Sequence, residues 1–301
     1  NLLGLIQHRR GHLPEARAAY LRSLEVAEAY AGRMHPTFAT VLINLAEVEL
    51  QAGNPADAER LAREADKVRR AVLPEGHIDR ADSAQTLAHL AEQRGEFKAA
   101  EDLYLDALAT FNRQPNRDPL HLGILYNDMG TLASTQEQLP RAHELFTAAL
   151  AAFRETAGPD SLYAQTAASN LAEVALWRGR PDEALPLLER ILPEIEREAP
   201  GGDDAARAHT LLAQTRLARK EIPAALQHAE QAVKLVEAGA GLDEPLPAIA
   251  RATLATCLAA AGREHKRIKL LAMVAEPELL KAVHEAAARR ALAALRNLQT
   301  R

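Results

Sequence analysis

The sequence predicts an all-α protein, a solenoid of about seven stacked helical hairpins followed by a C-terminal capping helix. Three observations carry this prediction. A small residue returns at Gly4, Ala46, Ala88, Gly130, Ala172, Ala213 and Ala255, at intervals of 42 residues with a single interval of 41. Companion columns keep the same register. They read Leu3, Leu45, Leu87, Met129, Leu171, Leu212 and Leu254, then Gly11, Gly53, Gly95, Glu137, Gly179, Lys220 and Gly262. Composition agrees, because 48% of the residues are hydrophobic but only 4% aromatic, which suits alanine-rich helix packing better than sheets. A fixed period of this kind marks supersecondary units that bury their apolar faces only by stacking.

Within each repeat the columns lie three, four and seven residues apart on either side of the glycine, the spacing of a helical face. The glycine column ends the first helix, since glycine reaches left-handed dihedrals at little cost. The second helix opens just after it, often with proline in its first turn, at Pro14, Pro55, Pro140, Pro181 and Pro223. Asn54-Pro55-Ala56-Asp57 supplies an N-cap and early negative charge. An alanine column follows at Ala16, Ala58, Ala100, Ala142, Ala184 and Ala225, and Arg267 breaks it in the last repeat.

First helices are therefore expected near 1–10, 36–52, 78–94, 118–136, 161–178, 203–219 and 245–261. Their partners are expected near 14–31, 55–72, 97–113, 139–156, 181–198, 222–238 and 264–275. The solenoid then spans 1–276, in repeats of about 1–35, 36–77, 78–117, 118–160, 161–202, 203–244 and 245–276. Pro193 predicts a kink or an early stop in the fifth partner helix. Residues 277–301 form the capping helix, from Glu278 to about Leu298. Lys281, Glu285, Arg289 and Arg290 are expected to face water, and Leu279, Leu280, Val283, Leu292 and Leu295 to face protein.

The succession of Leu-Ala, Gly, Ala, an aromatic residue and Ala resembles the tetratricopeptide repeat, in the longer variant found in kinesin light chain and many bacterial proteins. That variant joins its repeats through a Gly-x-x-His-Pro link. The link is matched by Ala31-Gly32-Arg33-Met34-His35-Pro36-Thr37-Phe38-Ala39 ahead of Asn44-Leu45-Ala46. Weaker echoes run from Glu75-Gly76-His77 to Ala81, and through Ala157-Gly158-Pro159-Asp160 before Asn170-Leu171-Ala172. HEAT and armadillo arrays have units of similar length but lack this Gly-to-Ala spacing.

The resemblance implies a right-handed α-solenoid in which the first helix of each pair lines a concave groove that holds a protein or peptide segment. It places Asn44, Glu47, Gln51, Gln85, His89, Gln93, Asn127, Thr131, Asn170, Glu173, Trp177 and Arg207 on that groove. Relatives of this type set the asparagine of Asn-Leu-Ala against a peptide backbone, and Asn44 and Asn170 match that position while Asn127 stands one place earlier. Such amides both donate and accept, so they can hold an extended backbone or equally bridge neighbouring helices. Trp177 either faces the groove or packs under the turn at Gly179. Acids at Glu47, Asp82, Asp128 and Glu173 outnumber the bases Arg9 and Arg207, so the expected guest is polar to mildly basic rather than a C-terminal carboxylate.

Other functions find little support in the sequence. A net charge of -5 and a pI near 6.2 recommend no nucleic acid partner. No apolar run is long enough to span a membrane. The single cysteine excludes an internal disulfide and fits a reducing, cytoplasmic setting. Cys257 reads as a small core residue, and Gly11 parts His8 from His12. With no HExxH spacing and no glycine-rich phosphate loop, neither an enzyme nor a metal or cofactor is expected.

A protein- or peptide-binding scaffold is thus the first functional reading. The alternative is a sensory or regulatory arm of a larger bacterial signalling protein, such as a kinase or transcription activator. Asn1 lies inside the expected first helix without a preceding methionine, which reads as a piece of a longer chain and leaves room for an attached effector domain. Self-association is compatible with both readings.

Overall fold

A computed structural model describes residues 1–114, 118–239, 245–262, 265–282 and 286–299. Among them are fifteen helices and no strand. The first helices of the pairs are α1 (Leu2–Arg9), α3 (Pro36–Gln51), α5 (Ile78–Gln93), α7 (Pro119–Thr135), α9 (Leu162–Trp177), α11 (Asp203–Ala218) and α13 (Leu246–Ala260). Their partners are α2 (Leu13–Ala31), α4 (Pro55–Val72), α6 (Phe97–Asn112), α8 (Leu139–Thr156), α10 (Pro181–Glu198), α12 (Ile222–Ala238) and α14 (His265–Lys281). A last helix, α15, covers Ala286–Gln299. The chain divides into two compact blocks, Asn1–Leu125 and Tyr126–Arg301.

The turn between paired helices is one motif repeated. In the second repeat the Gly53 amide donates to the Leu50 carbonyl at 3.0 Å and the Asn54 amide to the Glu49 carbonyl at 2.8 Å. This is the crossed pair of a Schellman ending, which requires a left-handed residue after the helix. Gly11, Gly53, Gly95, Gly179 and Gly262 supply it at φ between 65 and 81°. Glu137 and Lys220, which depart from the glycine column, take the same conformation at φ 58 and 63°. The crossed bonds are the same, with the Glu137 amide donating to Ser134 at 3.0 Å and the Gln138 amide to Ala133 at 2.8 Å, and the Lys220 and Glu221 amides donating to Leu217 and Arg216, each at 2.9 Å. The backbone therefore keeps the motif where the sequence abandons glycine, at about 1–2 kcal/mol per side chain.

Next comes the entry to each helix. His35 Nδ1 accepts from the Thr37 amide and His77 Nδ1 from the Asp79 amide, both at 3.2 Å. The linking histidines therefore act as N-caps, the part that Ser161 Oγ plays for α9. Asn54 departs from expectation. Its side chain does not cap α4 but donates to Glu49 Oε2 at 2.9 Å. Glu49 is buried, and Arg17 Nε supplies its other oxygen at 2.6 Å. A buried carboxylate needs donors more than a helix end near solvent does.

In the first block, α2 packs on α3, α3 on α4, α4 on α5 and α5 on α6, with Tyr20, Phe38, Leu42, Leu90, Tyr104 and Phe111 fully buried. In the second, consecutive helices from α8 to α14 pack in turn around Leu188, Leu212, Leu254, Leu258 and Leu279. The small column acts by what faces it. A Cβ on Gly4 would sit 2.6 Å from the Tyr20 ring, and one on Gly130 would sit 2.7 Å from the Phe146 ring.

Two expectations about helix ends are corrected. α10 does not stop at Pro193 but runs to Glu198, and it carries Pro186 as well. Both prolines lie on the exposed side, where water can serve the carbonyls they leave unbonded, while Leu188, Ile191 and Ile195 bury the other face. Likewise α14 continues through Pro277 to Lys281 rather than ending near 275, and α15 starts afresh at Ala286. Leu279 is buried as expected, whereas Leu280 is 47% exposed. Val283, Glu285 and the side chain of Arg267 lie outside the described residues.

Candidate partner-binding face

The expected groove residues fall on the first helices of both blocks. In the first block Asn44, Glu47 and Gln51 lie on α3, and Gln85, His89 and Gln93 on α5. Asn44 Nδ2 donates to Asn1 Oδ1 at 2.9 Å. Glu47 keeps much of its surface in solvent, but surrounding atoms strip water from its carboxyl, and that partial burial is the first cause of its raised pKa. His8 and His89 oppose that rise, and Asp82 adds to it. Asp82 is raised in the same way, with Arg69 and His121 opposing. Acids and histidines thus share this face, and a cation arriving there would favour the charged carboxylates that burial disfavours.

In the second block four of the expected residues form one hydrogen-bonded chain. Asn170 Nδ2 donates to Asn127 Oδ1 at 2.9 Å. Arg207 Nη2 donates to Asn170 Oδ1 at 2.8 Å and to Glu173 Oε2 at 2.7 Å. Asn127, one place early in its repeat, is therefore a full member. The two asparagine pairs obey one rule, because Asn1 to Asn44 and Asn127 to Asn170 are each 43 residues apart, one more than the period. The residue three before the small column bonds the residue two before it in the next repeat. That offset was legible in the sequence to a reader aligning neighbours diagonally rather than column by column.

The remaining second-block residues are placed differently. Thr131 Oγ1 turns back to the Asn127 carbonyl of its own helix. Trp177 is half-buried, with the Arg290 guanidinium 4.8 Å from its ring centroid. Arg289 and Arg290 therefore do not point simply into water as expected. Arg289 donates to the Thr135 carbonyl at 3.1 Å. No column could have shown this, since the partners are 154 residues apart in sequence. Glu173, expected to attract a basic guest, is already neutralised by Arg207.

A histidine pair also escaped the sequence reading. His209 is buried, with Nδ1 3.0 Å from His228 Nδ1 and Nε2 3.1 Å from Glu196 Oε1. The His228 pKa is lowered by burial, then by His209 and Arg216, with Glu196 opposing. The folded state disfavours protonation of His228 relative to the unfolded chain, where the group titrates near 6.5. Stability is therefore fully present above about pH 6.5 and falls as the pH drops from there toward the depressed folded value. The melting temperature of H228Q should lose less than that of the wild type between pH 7 and pH 5, and parallel curves would remove this pair as the cause.

Cys257 is buried, and its thiol pKa is pushed up to about 12 by that burial. Among the described residues, no three His, Cys, Asp or Glu side chains gather as metal ligands would. No described helix is long and apolar enough to cross a membrane.

Helical hairpins at a 42-residue period, with Schellman turns and a polar first-helix face, define a class of helical repeat protein. The chain belongs to the tetratricopeptide repeat family, whose profile matches residues 1–71, 37–113, 79–155 and 163–238. Repeats of this family mediate protein–protein interaction. No curated protein matches the sequence. Among solved structures, BtubC (BKLC) from P. vanneervenii superposes with a TM-score of 0.60 at 19% identity, over 78% of this chain and 91% of that one. The nearly identical TPR-like repeats of a kinesin light chain from Podosopora anserina give 0.56 at 20% identity, over 67% and 96%. A signal transduction ATPase with numerous domains (STAND) protein with a tetratricopeptide repeat sensor, from Pyrococcus horikoshii, gives 0.71 at 15% identity. That match covers 96% of this chain but 43% of the other. At these identities the likeness is one of fold.

Proposed function

We propose that the first-helix faces form grooves that hold a polar to mildly basic partner segment, extended or helical. The observation that carries this reading is the face around Glu47, where two crowded carboxyls, Glu47 and Asp82, both have raised pKa values. A lysine or arginine of a guest would supply the opposite charge that favours both carboxylates. The paired asparagines set the spacing of the face, and each retains bonding capacity for a backbone. α15 serves as the cap of the second block.

A second reading, a sensory arm within a signalling protein, draws support from the fold shared with the STAND sensor along nearly the whole chain. Both readings use the same faces, and they differ in what is attached.

Selecting displayed peptides on the full chain tests the proposal. The expected winners are rich in lysine, arginine and polar residues. Glu47→Lys should weaken them about fivefold or more at low salt, with the difference shrinking as salt rises. Winners that are acidic, or that bind Glu47→Lys unchanged, would overturn the reading.

A further inference from the structure

Two adjacent arginines of α15 meet a matched set of acceptors in the second block. Arg289 Nη2 donates to the Thr135 carbonyl at 3.1 Å and lies 3.6 Å from the Glu137 carboxylate. Arg290 lays its guanidinium over Trp177, 4.8 Å from the ring centroid. Thr135 ends α7, where unpaired carbonyls and the helix dipole favour cations. Trp177 ends α9, and an indole face is the best aromatic partner for a guanidinium.

The body of α15 sits elsewhere. Its apolar side, with Ala288, Leu292 and Leu295 buried, packs on α13 and α14, while the arginines reach on to the ends of α7 and α9. Glu137 is the independent pointer. It keeps a carboxylate at φ 58°, in a turn position that five of the seven repeats give to glycine. Strained residues of this sort tend to persist where their side chains are used.

We propose that the ends of α7 and α9 form a recognition site for two adjacent arginines on a helix, filled within the chain by α15. A partner helix bearing such a pair docks by displacing Arg289 and Arg290. The specificity for arginine over lysine arises at the ring, because the guanidinium plane of Arg290 lies over the indole of Trp177, a stacking that a compact, strongly hydrated ammonium does not reproduce. The partner's chemistry deepens the peptide-binding reading and rests on it, but occupation by α15 does not. The experiment below leaves Glu47 and Asn44 untouched, so its failure is separable from failure of that reading.

Trp177 is the single tryptophan, so its emission in the full chain reports the site. Arg289→Ala with Arg290→Ala vacates it. The vacated chain should show a saturable change in emission with acetyl-Ala-Arg-Arg-Ala-amide, at concentrations at least about tenfold below those the wild type needs. The same peptide with two lysines should bind about tenfold more weakly. Glu137→Gly, which suits the turn and so preserves folding, should weaken the arginine peptide about fivefold in the vacated chain. In otherwise wild-type protein it should raise amide exchange in α15 while α13 stays protected. A vacated chain that ignores the arginine peptide, or that responds equally to lysine, overturns the proposal.

Discussion

Replacing Arg69 by methionine should destabilise the first block by about 3–5 kcal/mol. Arg69 is 3% exposed, and its Nη1 donates to the Asp79 carbonyl at 2.7 Å and to Ser83 Oγ at 2.9 Å. Its Nη2 lies 3.4 Å from Thr40 Oγ1. One side chain of α4 thus holds acceptors on α5 and α3. Burial lowers its pKa, and the carboxylates of Asp79, Asp82 and Asp66 oppose that shift. Methionine keeps most of the volume, so the loss isolates electrostatics from cavity formation. What remains is an Asp82 carboxyl with its pKa already raised and its main counter-charge gone. Denaturant unfolding, with amide exchange in α3 to α5 to locate the loss, decides the matter. A change within about 1 kcal/mol would mean that Arg69 is dispensable.

Gly130→Ala should cost about 1–3 kcal/mol in the second block, although alanine is the better helix former by about 1 kcal/mol. The added methyl would meet Phe146 ring carbons at 2.7 to 3.0 Å, and that ring is 2% exposed with no free end to swing away. Overpacking therefore wins over propensity. Adding Phe146→Leu to Gly130→Ala recreates the Ala172 and Leu188 pair of the fifth repeat. The two changes should then be strongly non-additive, the double variant being more stable than the sum of the singles implies. The third repeat carries Ala88 with Tyr104 at the equivalent places, so helix spacing can differ between repeats. A neutral Gly130→Ala would show that the fourth repeat opens as readily.

What the sequence made legible was whatever depends on local geometry. Fourteen paired helices and their turns follow from columns that each encode one backbone event, such as glycine in a left-handed turn or proline in a first turn. The early stop at Pro193 does not occur because proline's cost depends on whether water reaches the freed carbonyl, and that is known only once the buried face is known. Asn54 misled because a buried carboxylate five residues back competes for its amide. On the functional face, Asn44 and Asn170 were visible as motif positions, while their bonding shows only when neighbouring repeats are compared one place out of register, since it runs diagonally between them. Arg290 over Trp177 lay beyond any periodic reading, because it joins a helix outside the period to one within it.

The polar contacts between successive repeats of the second block bear on how such a chain avoids stacking wrongly. Apolar columns alone would accept any hairpin against any other, because each presents much the same small and large residues. The seams differ, with amide to amide at Asn127 and Asn170, guanidinium to carboxylate at Arg207 and Glu173, and amide to hydroxyl at Gln214 and Thr253. A hairpin skipped during folding would set Asn127 against Arg207 and leave Glu173 with no cation. Each seam therefore carries a distinct chemical address, and a misthreaded array would be recognised by its mismatched polar pairs before its apolar core could close around the error.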